Sequence, residues 1–286
     1  MIVRQVRNSR VIPVTKPTLP EYSEVEPMLR EIIETGLITN GKFVRAFEER
    51  ARQYLGVRRV VSAPSCSTGL MALLSTLPPD SEVIMPAFTF SATYQALLWN
   101  NLRAVLVDCN ESCNLDAGRV EEVITSRTSA ILAVHMYGTA TDVGDLQDIA
   151  GRRGLSLFYD AAHAFGAKYR GRYLGSLGTA EVFSLGPTKT LPVGEGALIS
   201  FSDDTLAEKV RLVCNHGQPP NSLDSTVKSF NGRLEEIDAA IGLRLLDDVD
   251  RVGCTPARAG PPLLGQPWPA ARDFLPSSSR GRSEHV

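Results

Sequence analysis

Seven short apolar runs recur along the first two hundred residues of the chain. They span residues 59–62, 82–86, 104–108, 130–135, 155–160, 181–185 and 197–201. The apolar residues in these runs are nearly continuous rather than alternating with polar ones. That pattern is typical of strands that are buried on both faces of a sheet. It predicts a largely parallel sheet of seven strands.

The segments between these runs have helical spacing of apolar residues. They cover residues 69–77, 91–99, 117–125, 142–153 and 206–213. Two further amphipathic helices are predicted ahead of the sheet, at residues 21–35 and 42–54, with Gly36 and Gly41 between them. Strands that alternate with helices in this way indicate an α/β fold with helices on both faces of the sheet.

The character of the sequence changes near Arg251. Residues 234–250 have the composition and spacing of a helix, whereas residues 252–286 contain six prolines and no lysine. A segment without a helical or strand period cannot bury an apolar face. We therefore expect one large domain over residues 1–251 and a disordered or poorly packed tail over residues 252–286.

Composition and charge exclude several classes of function. The formal net charge is -2 over 286 residues, so no nucleic-acid partner is indicated. No apolar run reaches the roughly 20 residues that span a bilayer, and the N-terminus lacks the apolar core of a signal peptide. The five cysteines are widely spaced, except for Cys109 and Cys113, which have no histidine near them. We expect no membrane segment, no metal site and a cytoplasmic location.

Two residues at the ends of apolar runs carry the chemistry. Asp160 ends the run at 155–160, and Lys189 follows the run at 181–185. An enzyme that uses pyridoxal 5'-phosphate needs both groups. The lysine forms a Schiff base with the cofactor, and the acid keeps the pyridine nitrogen protonated. The plainer alternatives are a surface lysine in a loop and an aspartate that caps the next helix.

Several blocks in sequence order extend this interpretation. They are GLITNG (36–41), SCS (65–67), PAFTF (86–90), HMYG (135–138), DAAHAFGA (160–167), SLGPTK (184–189) with GEG (194–196), NHG (215–217) and NGRLEEI (231–237). In these blocks the chain resembles the DegT/DnrJ/EryC1/StrS family of nucleotide-sugar aminotransferases from about residue 13 to residue 250.

The resemblance implies a type I pyridoxal-phosphate fold, as in aspartate aminotransferase, and a homodimer with shared active sites. It implies transfer of an amino group from glutamate, or less often glutamine, to a keto group on a nucleotide-linked sugar. Such reactions serve the biosynthesis of surface polysaccharides or glycosylated metabolites. Lys189 and Asp160 would then be the catalytic residues.

The resemblance also assigns the remaining contacts with the cofactor. His163 would lie near the pyridine ring and its phenolic oxygen, and Phe90 would stack on that ring. Ser67, at the start of the helix over 69–77, and Ser184 would bind the phosphate, since hydroxyls and amides at a helix start suit an anion. Asn231 would reach the phosphate in the partner subunit. Each has a structural alternative: a packed polar residue for His163, core packing for Phe90, and helix capping for both serines.

The C-terminal part of the chain departs from the family. Family members continue for roughly another hundred residues beyond the helix ending near Asp250, into a small domain that helps to close the substrate site. Here the Pro- and Arg-rich tail stands in its place, which predicts a frame change or a truncation. The alternative function is therefore an inactive fragment that binds the cofactor at most, or that pairs with a full-length relative. Dehydratases of the same fold replace the lysine with histidine, so Lys189 argues against that activity.

Overall fold

The computed structural model describes residues 16–249, so the predicted tail at 252–286 lies outside the described residues. Nine strands are present within this part of the chain. They are β1 (Arg59–Ala63), β2 (Glu82–Pro86), β3 (Arg103–Val107), β4 (Thr128–Val134), β5 (Ser156–Asp160), β6 (Lys168–Tyr169), β7 (Arg172–Tyr173), β8 (Ala180–Ser184) and β9 (Ala197–Phe201).

Eight α-helices accompany these strands in the described part of the chain. They are α1 (Tyr22–Thr35), α2 (Lys42–Leu55), α3 (Cys66–Leu74), α4 (Ser91–Trp99), α5 (Ala117–Val120), α6 (Val143–Arg153), α7 (Asp204–Cys214) and α8 (Glu236–Leu246). Within residues 16–249, no helix combines the length and the apolar character that crossing a membrane requires.

Seven strands form one sheet in the order β1-β9-β8-β5-β4-β2-β3. The five strands from β8 to β3 run parallel, whereas β9 is antiparallel to both of its neighbours, β1 and β8. The predicted α/β class and the seven strands are confirmed. The small β6–β7 hairpin was not predicted, because two-residue strands leave no periodic pattern in the sequence.

Apolar layers cover both faces of the sheet. On β5, for example, Leu157 and Tyr159 face a layer that includes α2, α6 and α8. Phe158 faces the opposite layer, which includes α3, α4 and α7. Successive side chains of a strand point to opposite faces, so a strand buried on both sides is apolar throughout.

The start of α2 is tied to the start of α8 by one buried carboxylate. Glu236 is 1% exposed, and its side chain accepts hydrogen bonds from the backbone N–H groups of Gly41 (2.8 Å), Phe43 (2.9 Å) and Val44 (2.9 Å). These amides have no acceptor within the helix, and a negative charge suits a helix N-terminus. Glu236 therefore fixes the two helices against each other.

Two predicted helices differ from the observed ones. The helix predicted over 69–77 begins earlier, because the hydroxyl of Ser65 accepts the N–H of Thr68 at 3.1 Å and caps α3 at Cys66. The helix predicted over 117–125 is one α-helical turn followed by a 3₁₀ turn, and Ile124 is already extended.

Candidate active site

Asp160 and Lys189 lie at the same edge of the sheet. Strands β5 and β8 are parallel neighbours, and Asp160, the last residue of β5, stands opposite Val182. Lys189 follows the end of β8 by five residues, in a turn where its N–H donates to the carbonyl of Gly186 at 3.0 Å. Carboxyl ends of parallel strands are where open α/β sheets bind ligands. The structure thus brings the two predicted residues together.

The carboxylate of Asp160 is buried, at 5% exposure, and both of its oxygens accept hydrogen bonds. The hydroxyl of Thr93 donates to Oδ2 at 2.7 Å, and the N–H of Ala162 donates to Oδ1 at 3.1 Å. The aspartate therefore also supports the turn that follows β5. No helix begins there, so the plainer interpretation of a helix cap does not describe it. Within residues 16–249, no cationic side chain forms an ion pair with it at 4.0 Å or less.

Burial raises the pKa of Asp160, because a low-dielectric environment disfavours the charged form. Four groups oppose that rise and lower the pKa: the Thr93 hydroxyl, the Ala162 N–H, His163 and Lys189. A cation placed against the carboxylate would act in the same direction. The site is therefore suited to a cationic partner for Asp160.

The charge of Lys189 acts on the pKa of two further side chains, Cys66 and His163. Burial raises the pKa of the Cys66 thiol; the charge of Asp160 adds to that rise and the charge of Lys189 opposes it. Burial lowers the pKa of His163, and Lys189 lowers it further, while Asp160 raises it. Asp160, Lys189, His163 and Cys66 thus form one cluster.

His163 lies in a turn directly after β5, where the N–H of Ala164 donates to the carbonyl of Ala161 at 2.8 Å. The turn that the sequence suggested after Asp160 is present. The imidazole of His163 stacks against the ring of Tyr137, with centroids 6.0 Å apart and planes 14° apart. His163 is exposed apart from this ring contact, so the alternative of a packed polar residue does not describe it.

The two predicted phosphate-binding serines differ in their surroundings. Ser67 is exposed in the first turn of α3, and the capping role that was its alternative belongs to Ser65 instead. Ser184 ends β8, is 9% exposed, and accepts the N–H of Gly186 at 3.3 Å. No helix starts at Ser184, so helix capping does not explain this residue either.

Phe90 is 74% exposed and immediately precedes α4. Core packing, the structural alternative for this residue, is therefore excluded. Thr93 lies three positions further on and holds Asp160, so Phe90 stands near the carboxylate at the start of the same helix. A large exposed ring in this place suits stacking on a planar ligand.

Asn231 does not join the cluster in the single chain. It forms a β-bridge with Asn215, and its side-chain oxygen accepts a hydrogen bond from Arg233 at 3.2 Å. Among the described residues, no hydrogen bond connects it to Asp160, Lys189 or Ser184. Its predicted role concerns a second subunit and stays a prediction.

Sequence reasoning missed Thr93, Tyr137 and Cys66. Thr93 is fully buried in the first turn of α4, and a hydroxyl on a buried helix face was the available signal. Tyr137 and Cys66 belong to the HMYG and SCS blocks, but only tertiary contacts reveal their neighbours.

These residues fit pyridoxal phosphate. A buried carboxylate without an ion pair in the described residues suits the ring nitrogen, and the nearby amine of Lys189 suits the aldehyde. The exposed ring of Phe90 offers a surface for stacking, and the start of α3 offers amides to an anion.

Comparison with known proteins points the same way. A family model described as the DegT/DnrJ/EryC1/StrS aminotransferase family matches residues 21–255. The chain is 37% identical over 247 residues to dTDP-4-amino-4,6-dideoxy-D-glucose transaminase of Escherichia coli, covering 85% of this chain and 66% of that protein. It is also 37% identical over 243 residues to GDP-perosamine synthase of Caulobacter vibrioides, covering 84% and 65% respectively.

Solved structures of similar fold include two with a bound ligand. DesI in the presence of its TDP-sugar product is 36% identical, with a TM-score of 0.76 over 82% of this chain and 60% of that one. NtdA of Bacillus subtilis with bound cofactor PMP is 30% identical, with a TM-score of 0.78 over 85% and 58%. The chain thus spans less than two thirds of the length of these relatives.

Proposed function

The chain belongs to the DegT/DnrJ/EryC1/StrS aminotransferase family, and on that premise we propose that it is a pyridoxal phosphate-dependent sugar aminotransferase. It moves an amino group from glutamate or glutamine to a keto group on a nucleotide-linked sugar. The acceptor is supported by the named relatives, which are a dTDP-sugar transaminase, a GDP-perosamine synthase and a structure with a TDP-sugar product. The amino sugar serves a surface polysaccharide or a glycosylated metabolite.

One observation carries the proposal: the buried carboxylate of Asp160 shares its site with the amine of Lys189. A buried charge without an ion pair is costly, and a perturbed, buried acid of this kind is common where it acts on a ligand. The hydrogen bonds from Thr93 and Ala162 favour the charged form of the carboxylate, against the effect of burial, and fix its direction. That is the arrangement needed to keep a pyridine nitrogen protonated.

Bound pyridoxal phosphate supplies an electron sink for the negative charge that develops at the substrate carbon. Asp160 maintains the positive charge of the ring nitrogen, and Phe90 supports one face of the ring. Ser67 and Ser184 hold the phosphate, and His163 contacts the ring. The amine of Lys189 would hold the cofactor, and the same amine would move the proton at the substrate carbon.

The functional unit is a homodimer in this proposal. Tyr94 and Leu98 are four residues apart on α4, and both are exposed, as is the adjacent Trp99. Such a stripe is apolar enough to be covered by a second copy. Asn231 of one subunit then reaches the phosphate held by the other.

A cytoplasmic location completes the proposal. The thiols of Cys109 and Cys113 lie four positions apart and are both free. Free neighbouring thiols are compatible with a reducing compartment.

The test is a turnover assay with the purified chain. Pyridoxal phosphate, an amino donor and a panel of dTDP-, GDP- and UDP-linked keto sugars are incubated with the protein. The amino sugar is detected by mass spectrometry, and parallel reactions with glutamate or glutamine identify the donor. Borohydride reduction followed by peptide mapping locates the cofactor, which we expect on Lys189.

Two variants make the assay specific. Lys189→Ala should lose both covalent cofactor and turnover, whereas Lys209→Ala, an exposed lysine on α7, should lose neither. Cofactor on Lys189 without turnover of any sugar would favour the alternative, a chain that binds cofactor but is inactive. Cofactor on a different lysine would contradict the site itself.

A further inference from the structure

The 135–141 loop, which connects β4 to α6, holds one residue in an unusual conformation. Tyr137 has a φ of 52° and its side chain is 71% exposed, yet its ring stacks on the imidazole of His163. A left-handed backbone is uncommon for a bulky residue and persists only where the surroundings enforce it. The contacts of the loop show what enforces it here.

Asn114 holds the loop from one side. It is fully buried, its side-chain oxygen accepts the N–H of Met136 at 2.9 Å, and its amide donates to the carbonyls of Thr139 and Ala140 at 3.4 Å each. Within the loop, the N–H of Gly138 donates to the carbonyl of His135 at 3.1 Å. The backbone on both sides of Tyr137 is therefore fixed by hydrogen bonds.

His135 anchors the loop from the other side. It is fully buried, and its Nδ1 accepts the N–H of Thr141 at 3.2 Å, so its ring proton belongs on Nε2. Nε2 faces Oε2 of the buried Glu181 at 3.6 Å, and the ring stacks on Tyr159 with centroids 4.5 Å apart. Tyr159 precedes Asp160 on β5 and Glu181 lies on β8, so the anchor is attached to the two strands that lead into the site.

The loop also touches the backbone of His163. A Cβ atom at Gly138, which has a φ of 82°, would lie 2.9 Å from the carbonyl oxygen of His163. Only glycine leaves room for that approach. His163 is consequently contacted twice, on its ring by Tyr137 and on its backbone by Gly138.

We propose that Tyr137 is a positioning residue, whose ring holds the imidazole of His163 toward the Asp160–Lys189 pair. The buried side chains of Asn114 and His135 keep the loop in the conformation that this contact requires. Tyr137 acts through His163 and not on the reacting atoms. The consequence for catalysis rests on the proposed function, in which His163 contacts the cofactor.

The experiment follows His163 directly in the cofactor-free protein. The chain has four histidines, so a histidine-selective isotope label gives a simple NMR spectrum, and His163→Gln assigns the resonance. In Tyr137→Ala, the His163 resonance should lose its ring-current shift. Its pKa should rise toward the ordinary value, because burial is the first cause of its lowering and loss of the ring opens one side of the imidazole to solvent, while Lys189 and Asp160 remain.

Tyr137→Phe is the matched control, since it keeps the ring and removes the hydroxyl. It should leave both the shift and the pKa of His163 as in the parent protein. Unchanged His163 resonance and titration in Tyr137→Ala would overturn the proposal. Failure of the proposed function has a different readout, namely no turnover by the parent chain, and leaves this NMR comparison intact.

Discussion

The hydroxyl of Thr93 donates a 2.7 Å hydrogen bond to Oδ2 of Asp160, although 67 positions separate the two residues. The Thr93 oxygen also lies 2.8 Å from the hydroxyl of Thr89. Because a hydroxyl has one proton to give, Thr89 must donate to Thr93, and the chain of bonds ends on the carboxylate. The first turn of α4 thus supports the charge at the centre of the site.

Thr93→Val removes this support while keeping the shape of the side chain. The pKa of Asp160 should rise further, because the Thr93 hydroxyl opposes the effect of burial. Activity should fall about tenfold or more, since a hydrogen bond to a charged group contributes about 1.5–3 kcal/mol. The acid limb of the pH–activity profile should move to higher pH. Thr89→Val leaves the bond to Asp160 in place and should have a smaller effect; equal losses in the two variants would contradict this account.

Asp160→Asn should reduce turnover on the order of 100-fold or more, which corresponds to about 3 kcal/mol in the barrier. It should nevertheless stabilise the cofactor-free protein at neutral pH. The pKa of Asp160 is raised in the folded state, so the unfolded chain releases this proton at a lower pH than the folded protein does. The free energy of unfolding therefore falls as the pH rises above the unfolded value of 3.8. Thermal melts of both proteins between pH 4 and pH 8 measure this. A parent protein that is more stable than the variant at pH 7 without cofactor would be inconsistent with a destabilising charge.

The cysteines should differ in their reaction with iodoacetamide. Burial raises the pKa of Cys66, and raises that of Cys214 to about 12, so both thiols are protonated at pH 8. Cys113 is exposed and should be modified before Cys66 and Cys214. Peptide mapping at timed intervals gives the order. Modification of Cys66 as fast as Cys113 would show that the thiol is not shielded within the site.

Gly242 should be intolerant of substitution. A Cβ atom there would lie 2.5 Å from the ring of Phe47, so Gly242→Ala pushes α8 away from α2 and should cost about 1–3 kcal/mol. Gly151→Ala is the control on α6, where a Cβ atom meets nothing within 4 Å. It should stabilise the protein by up to about 1 kcal/mol, because alanine is the better helix former. Denaturant titration of both variants measures the two changes, and the same sign in both would refute the packing argument.

The sequence predicted the sheet well and the site only in part. The bounds of every strand in the sheet agree with those of an apolar run to within one or two residues. Strands that are buried on both faces contain few polar residues, so the apolar run marks where each strand begins and ends. Asp160 and Lys189 were found because strand ends are recognisable and parallel neighbours share an edge. The direction of β9 does not follow from its composition, which suits either orientation.

The remaining site contacts depend on tertiary neighbours. Ser67 was expected at the start of a helix, but Ser65, two positions earlier, is the N-cap of that helix. Serine is a favoured N-cap residue at either position, so residue type alone does not distinguish the two. The bond from Thr93 and the ring of Tyr137 join segments that are separate in sequence, so no local pattern marks them. The roles predicted for His163, Phe90, Ser67, Ser184 and Asn231 remain predictions.

The hydrogen bonds between Glu236 and the start of α2 have a consequence for folding during synthesis. The carboxylate lies 195 positions after Gly41, one of the amides that it holds. A ribosome adds about 5–20 residues per second, so Glu236 is synthesised about 10–40 s after the amides at the start of α2 that it accepts hydrogen bonds from. Strand β1 likewise waits for β9, with which it pairs. Closing such long segments is slow, so we expect the N-terminal helices to depend on chaperones during synthesis and to complete their folding late.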